Sequence, residues 1–139
     1  MSNVRVLVSD KLSEAGLNVL REAPDVELEY KPGMNEDELC AVVGDFDGLI
    51  IRSGTQVTTK VVDAADKLRV VGRAGIGVDN VDIPAASRRG IVVMNTPTGN
   101  SVTTAEHALA LLSSLARKIP QAVASMRGGK WQKSKFQGR

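Results

Sequence analysis

The sequence predicts an α/β fold in which five parallel strands are sandwiched between helices, and two observations carry that prediction. Short runs rich in Val, Ile and Leu alternate with helix-patterned segments in the order β-α-β-α-β-α-β-α-β, which closes into a parallel sheet through right-handed crossovers. The first run, VRVLV at residues 4–8, is apolar apart from Arg5, as expected of a strand covered on both faces. A chain of 139 residues is long enough to bury an adequate core without disulfides or metals.

Taken in order, Ser9 and Asp10 cap or precede a helix over about residues 12–21, with Leu12, Ala15, Leu17 and Leu20 along one side. Residues 26–30 alternate apolar and charged side chains, as an edge strand does. Lys31, Pro32 and Gly33 turn the chain, and Asn35 with Glu38 frames a helix start that continues through Leu39, Ala41 and Val43. The third strand, 49–51, stops abruptly at Arg52, Ser53 and Gly54. Residues 58–65 are helical, 68–71 form the fourth strand, and 81–89 form a helix that tolerates Pro84 in its first turn. Gly90 closes that helix in the left-handed conformation before the fifth strand, 91–93.

Beyond Asn100 the pattern changes. Thr103 and Glu106 match a T-x-x-E capping box, and Ala105, Ala108, Leu109, Leu111, Leu112, Leu115, Ala116 and Ile119 make a helix apolar on more than one face. Pro120 either kinks this helix or starts another, which ends at Gly128 and Gly129. His107 lies among these apolar residues with no acid or nucleophile placed to partner it, and is read as a packed or hydrogen-bonded histidine.

The chain is organised around LRVVGRAGIGVDN, residues 68–80. A dinucleotide fingerprint needs G-x-G-x-x-G between strand and helix, with an acid about 20 residues on. Here Gly75 and Gly77 are followed by Asn80, and the next strand leads into Met94 and Asn95 rather than Asp or Glu. Asp79 and Asp82 at the helix start would also repel a pyrophosphate. The stretch is therefore read as a tight turn that brings backbone N–H groups and Arg73 to a small ligand, the alternative being a glycine-rich turn with no ligand.

Loops following parallel strands share one edge of the sheet, where ligands of open α/β sheets bind. The loops after strands three to five run over residues 52–55, 72–77 and 95–101. They gather the Arg52 and Arg73 guanidinium groups, several hydroxyls and backbone amides. Arginine suits forked recognition of carboxylate or phosphate, so a small anionic substrate follows. In the alternative, Arg52 and Arg73 are structural and pair with Asp79 or Asp82.

Composition narrows the field further. The single cysteine, Cys40, excludes an internal disulfide and reads as a small buried apolar residue. No apolar run is long enough to span a bilayer and no leader pattern opens the chain, so no membrane role and a cytoplasmic location are expected. Net charge is +2, yet seven of the 18 Lys and Arg follow Ala110 and no acid does. That basic end reads as a solvated face rather than a nucleic-acid surface, because no RNA-binding aromatic motif accompanies it. No metal site is expected.

Four stretches carry a family resemblance: Arg52-Ser53, GRAGIGVDNVD from Gly72, GIVVMNTPTGNSVTTAEHALAL from Gly90, and GGKW from Gly128. Together they resemble the amino-terminal part of the D-isomer-specific 2-hydroxyacid dehydrogenases, over essentially the whole chain. The resemblance implies a flavodoxin-like, doubly wound substrate-binding domain over residues 1–98. Residues 99–139 would then be a crossover helix and the first helices of a truncated Rossmann domain for NAD. It implies that the true glycine fingerprint and the catalytic Arg, Glu and His of the family lie beyond Arg139, so no catalytic residue is assigned here. Substrate contacts carry over to Arg52, Ser53 and Asn100, with the loop from Arg73 to Gly77 forming the cleft floor, where Arg73, Ala74 and Gly75 face the substrate. Ile76 falls at a position that touches the nicotinamide end of the cofactor, where other members have Thr. The substrate implied is a small anionic 2-hydroxy acid, and Lys130 to Lys135 would serve a substrate phosphate. The family also implies a homodimer formed through the helix from Ser101 to Ile119. Two other readings stay open: a stand-alone anion-binding or interaction module, and a nucleic-acid binder using the basic tail.

Overall fold

The computed structural model describes residues 4–137, so Arg139, counted above in the basic end, lies outside the described residues. Five strands form one sheet: β1 (Val4–Val8), β2 (Val26–Tyr30), β3 (Gly48–Ile51), β4 (Val70–Arg73) and β5 (Val92–Asn95). Their order is β2-β1-β3-β4-β5 and every pairing is parallel. This is the flavodoxin-like order, whose switch point lies between β1 and β3.

Four helices connect these strands: α1 (Glu14–Arg21), α2 (Glu36–Val42), α3 (Thr59–Ala64) and α4 (Ile83–Arg88). The chain leaves β1 for β2 in one direction and then crosses back to β3, β4 and β5 in the other. Right-handed crossovers therefore put α1 on one face and α2 to α4 on the opposite face. Leu39, Val43, Val61, Val62, Ala85 and Ala86 pack with Leu7, Leu49, Ile51 and Val71 into the main core. On the other side of β1 lie Val6 and Val8, both buried, and α1 contributes the fully buried Leu17. Cys40 packs against the core but is only half-buried.

Several boundaries differ from expectation. Helix α1 begins at Glu14 and is capped by Ser13, whose hydroxyl accepts from the Gly16 N–H, because Ser9 and Asp10 are engaged by the loop after β3. Helix α2 has the expected box: Asn35 Oδ1 accepts from the Glu38 N–H at 3.0 Å and Glu38 Oε2 from the Asn35 N–H at 2.9 Å. Strands β4 and β5 sit about two residues later than periodicity suggests, so Gly72 and Arg73 end a strand rather than open a loop. Helix α4 is shorter than predicted and starts at Ile83, with Asp82 as its cap. Gly90 has φ +70°, the left-handed closure expected there.

The chain folds as two compact units, one ending at Gly99 and the other beginning at Asn100. The second unit holds α5 (Ser101–Ala116), α6 (Ile119–Arg127) and a short 3₁₀ turn (Lys133–Phe136). Helix α5 starts at Ser101, which places Thr103 and Glu106 inside it. The expected capping box is therefore not made, and the Thr103 hydroxyl donates back to the Asn100 carbonyl at 3.0 Å. Lys118, at φ 51°, separates α5 from α6, so Pro120 starts a second helix rather than kinking the first. No residue of α5 is buried, and His107, expected to be packed or bonded, is exposed.

Candidate functional site

The carboxyl ends of β1, β3 and β4 carry the candidate site. Asp10 follows β1 at the switch point, and its Oδ2 accepts the backbone N–H of Arg52 at 2.6 Å and that of Thr55 at 3.0 Å. Just behind it, the buried Ser9 and Thr55 hydroxyls lie 2.9 Å apart. Asn80, 5% exposed, meets the same turn from the other side. Its Nδ2 donates to the Arg52 and Thr55 carbonyls, each at 2.7 Å. Residues 52–55 thus have the N–H groups of both end residues on one side chain and both carbonyls on another. A carboxylate accepts and an amide nitrogen donates twice, so the two residue types match the four groups they hold.

Asn80 also reaches the neighbouring strand, where its Oδ1 accepts Arg73 Nε at 2.8 Å. Ile51 and Arg73 are register partners, so Arg52 and Arg73 leave adjacent strands one residue apart. Among the described residues neither arginine makes an ion pair with a carboxylate. The pairing of Arg52 or Arg73 with Asp79 or Asp82 is therefore not formed. Asp82 caps α4 instead, accepting from the Ala85 N–H at 2.9 Å and from the Thr59 hydroxyl. Those bonds, led by that of Thr59, hold its carboxyl below the usual aspartate range. Arg52 keeps one long contact from Nη1 to the Lys11 carbonyl, at 3.4 Å.

The glycines that suggested a cofactor fingerprint have another explanation. A Cβ on Gly75 would run into Nη1 of Arg73, and one on Gly77 would meet Asp79 Oδ1 at 2.7 Å. Gly75 makes room for a guanidinium and Gly77 for a carboxylate. With Asn80 spent on structural hydrogen bonds as well, residues 68–82 do not fit the pyrophosphate of a dinucleotide. Ile76, 39% exposed, offers an apolar contact and nothing more.

The turn after β4 is tied to both neighbours. Ala74 N–H donates to the Ile51 carbonyl at 2.9 Å, Thr96 N–H to the Gly75 carbonyl at 3.0 Å, and Asn95 Nδ2 to the Ile76 carbonyl at 2.6 Å. Two hollows open at this edge. One, of about 260 Å³, lies between Asp10, Lys11, Pro32, Gly33 and residues 52–54. The other, of about 280 Å³, is lined by Ile50, Gly72, Arg73, Ala74, Met94, Asn95 and Thr96.

Of the predicted site residues, Arg52, Ser53, Arg73, Ala74, Gly75 and Ile76 come together on the first unit. Asn100 belongs to the second, where it precedes α5 without a side-chain cap. Sequence reasoning missed Asp10 and Asn80, whereas Thr55 falls in the 52–55 loop whose hydroxyls it places at this edge. The loop after β1 carried a signal, an acid two residues past the end of the strand; Asn80 carried none beyond breaking a glycine pattern.

The fold and this edge define a class. The chain belongs to the D-isomer specific 2-hydroxyacid dehydrogenases, whose catalytic-domain description matches residues 6–134. It is 45% identical over 134 residues to D-3-phosphoglycerate dehydrogenase of Synechocystis, covering 96% of this chain and 24% of that protein. To the enzyme of the same name from Homo sapiens it is 50% identical over 134 residues, covering 96% and 25%. The chain thus spans about a quarter of the length of the curated relatives it matches. A solved structure of 3-phosphoglycerate dehydrogenase from Entamoeba histolytica with bound NAD+ superposes with a TM-score of 0.74 at 26% identity, covering 99% of this chain and 43% of that one. Among the described residues no helix is long and apolar enough to cross a membrane.

Proposed function

We propose that this chain is the substrate-binding portion of an NAD-dependent dehydrogenase that oxidises D-3-phosphoglycerate to 3-phosphohydroxypyruvate in the cytoplasm, a step of L-serine biosynthesis. The observation that carries this reading is the pair of arginines at the carboxyl edge. Asn80 and Asp10 anchor Arg52 through its backbone and Asn80 anchors Arg73 through Nε, and among the described residues neither guanidinium forms an ion pair with a carboxylate. The substrate carries a carboxylate and a phosphate, and guanidinium groups match both. The names of the similar proteins point to the same substrate.

In this reading Arg52, Ser53, Arg73, Ala74 and Gly75 contact the substrate, and Ile76 gives an apolar face to the nicotinamide end of NAD. Residues 1–98 are the substrate domain, and the following helices begin the cofactor domain. Helix α5 is a dimer surface, consistent with Val102, Leu109, Leu111, Leu112 and Leu115, each more than half exposed. The chain alone binds substrate without turning it over, since hydride transfer needs a general base and a cofactor site that residues 68–82 do not provide.

The test is NAD reduction with D-3-phosphoglycerate by this chain and by the same chain extended through any coding sequence that follows. Activity confined to the extended chain supports the proposal. Absence of activity in both contradicts it and favours a stand-alone anion-binding module.

A further inference from the structure

We infer that Asn80 is a positioning residue that fixes the separation of the two arginines, and thereby favours a ligand with two anionic groups over a ligand with one. The inference rests on the reading of this edge as an anion site. One buried carboxamide holds Arg52 and Thr55 by their carbonyls and Arg73 by Nε. The orientation of the amide follows from its partners, because the flipped form would face two carbonyls with an oxygen and an Nε–H with a donor.

Strand register alone does not set where a guanidinium lies. Neighbouring strands run about 4.8 Å apart, but an arginine side chain rotates about several bonds beyond its Cα. Bonding Nε to a buried acceptor removes most of that freedom and leaves both terminal nitrogens for a ligand. The same amide fixes the Arg52 backbone through its carbonyl, and the contact of Arg52 Nη1 with the Lys11 carbonyl directs that side chain from the fixed point. A single carboxylate can engage either arginine and adjust to it. Two anionic groups a set distance apart need both arginines at once, so only they depend on the separation that Asn80 maintains.

Two variants separate the components. Asn80→Asp, nearly isosteric, keeps an acceptor for Arg73 and loses both donors to the 52–55 carbonyls. Asn80→Ala loses all three bonds. The experiment titrates D-3-phosphoglycerate and D-glycerate, its counterpart with a single anionic group, into the wild-type chain and each variant. Shift changes are followed by NMR together with solvent exchange of the Arg73 Nε–H. Slow exchange is expected in the wild type and in Asn80→Asp, and fast exchange in Asn80→Ala. Affinity for D-3-phosphoglycerate falls by about tenfold or more in both variants, whereas that for D-glycerate changes by less than about threefold. Equal losses for both ligands indicate a merely structural role and overturn the inference, as does unchanged affinity for D-3-phosphoglycerate. If Asn80→Ala does not fold, Asn80→Asp carries the comparison. A wild-type chain that binds neither ligand removes the anion site itself, and the inference with it. Binding that persists unchanged while the Nε–H loses protection overturns the inference alone.

Discussion

The carboxylate of Asp10, in the loop after β1, accepts the backbone N–H of Arg52, the first residue after β3, across the switch point of the sheet. Arg52 therefore owes the position of its backbone to a residue 42 places earlier in the chain. Replacing Asp10 by Ala leaves the Arg52 and Thr55 N–H groups without their charged acceptor and costs about 2 kcal/mol of stability. Affinity for an anion at this edge falls as well. Chemical denaturation and ligand titration on the same protein measure both effects.

Gly75→Ala separates guanidinium placement from folding. The added methyl meets the flexible end of Arg73 rather than backbone, so the side chain moves and the fold remains. Melting temperature should change by no more than a few degrees, which corresponds to about 1 kcal/mol or less. Affinity for D-3-phosphoglycerate should drop several-fold. A loss of fold with no specific loss of binding would show that Gly75 serves the turn and not Arg73.

Stability at acid pH should depend on Asp82. Its carboxyl is held below the ordinary aspartate range by the Thr59 hydroxyl and the Ala85 N–H. A group whose pKa is lower in the folded state contributes stability above its unfolded pKa of about 3.9 and loses it as pH falls through the folded value. The cap of α4 should therefore weaken below about pH 4. Asp82→Asn retains a capping oxygen but has no proton to take up, so its stability curve should be flatter there. Denaturation midpoints measured from neutral to strongly acid pH compare the two proteins.

What was legible in the sequence were features whose partners are close along the chain. The Asn35 and Glu38 box spans three residues and forms as read, and Gly90 closes α4 at φ +70°. The alternation of strands and helices gave the parallel sheet, and the family motifs gave its flavodoxin-like order. Short-range patterns also misled: Thr103 and Glu106 have the spacing of a box, but α5 begins ahead of them and turns the threonine hydroxyl back to Asn100. Long-range partners were invisible. Asp10 and Asn80 hold the 52–55 turn from 42 and 28 residues away, and nothing at either position announces the other end of the bond. The glycines around Arg73 read as a turn and suggest a loop there, whereas in the fold it pairs with Asn95 as the last residue of β4.

Helix α5 supplies a separate test. Leu112 and Leu115 are 64% and 73% exposed, and an apolar surface of this kind drives self-association. Leu112→Lys should shift the chain toward monomer in analytical ultracentrifugation at micromolar concentration, with little change in the melting of the first unit. A wild-type chain that stays monomeric at high concentration would remove the dimer from the proposal.

The most direct test of the anion site is calorimetric titration of D-3-phosphoglycerate into the wild-type chain, Arg52→Ala and Arg73→Ala, with folding of each checked by circular dichroism. Saturable binding to the wild type, weakened about tenfold or more in each variant while the fold is kept, is the predicted result. Binding that is unchanged when either arginine is removed would contradict the assignment of the Arg52 and Arg73 edge as the substrate site.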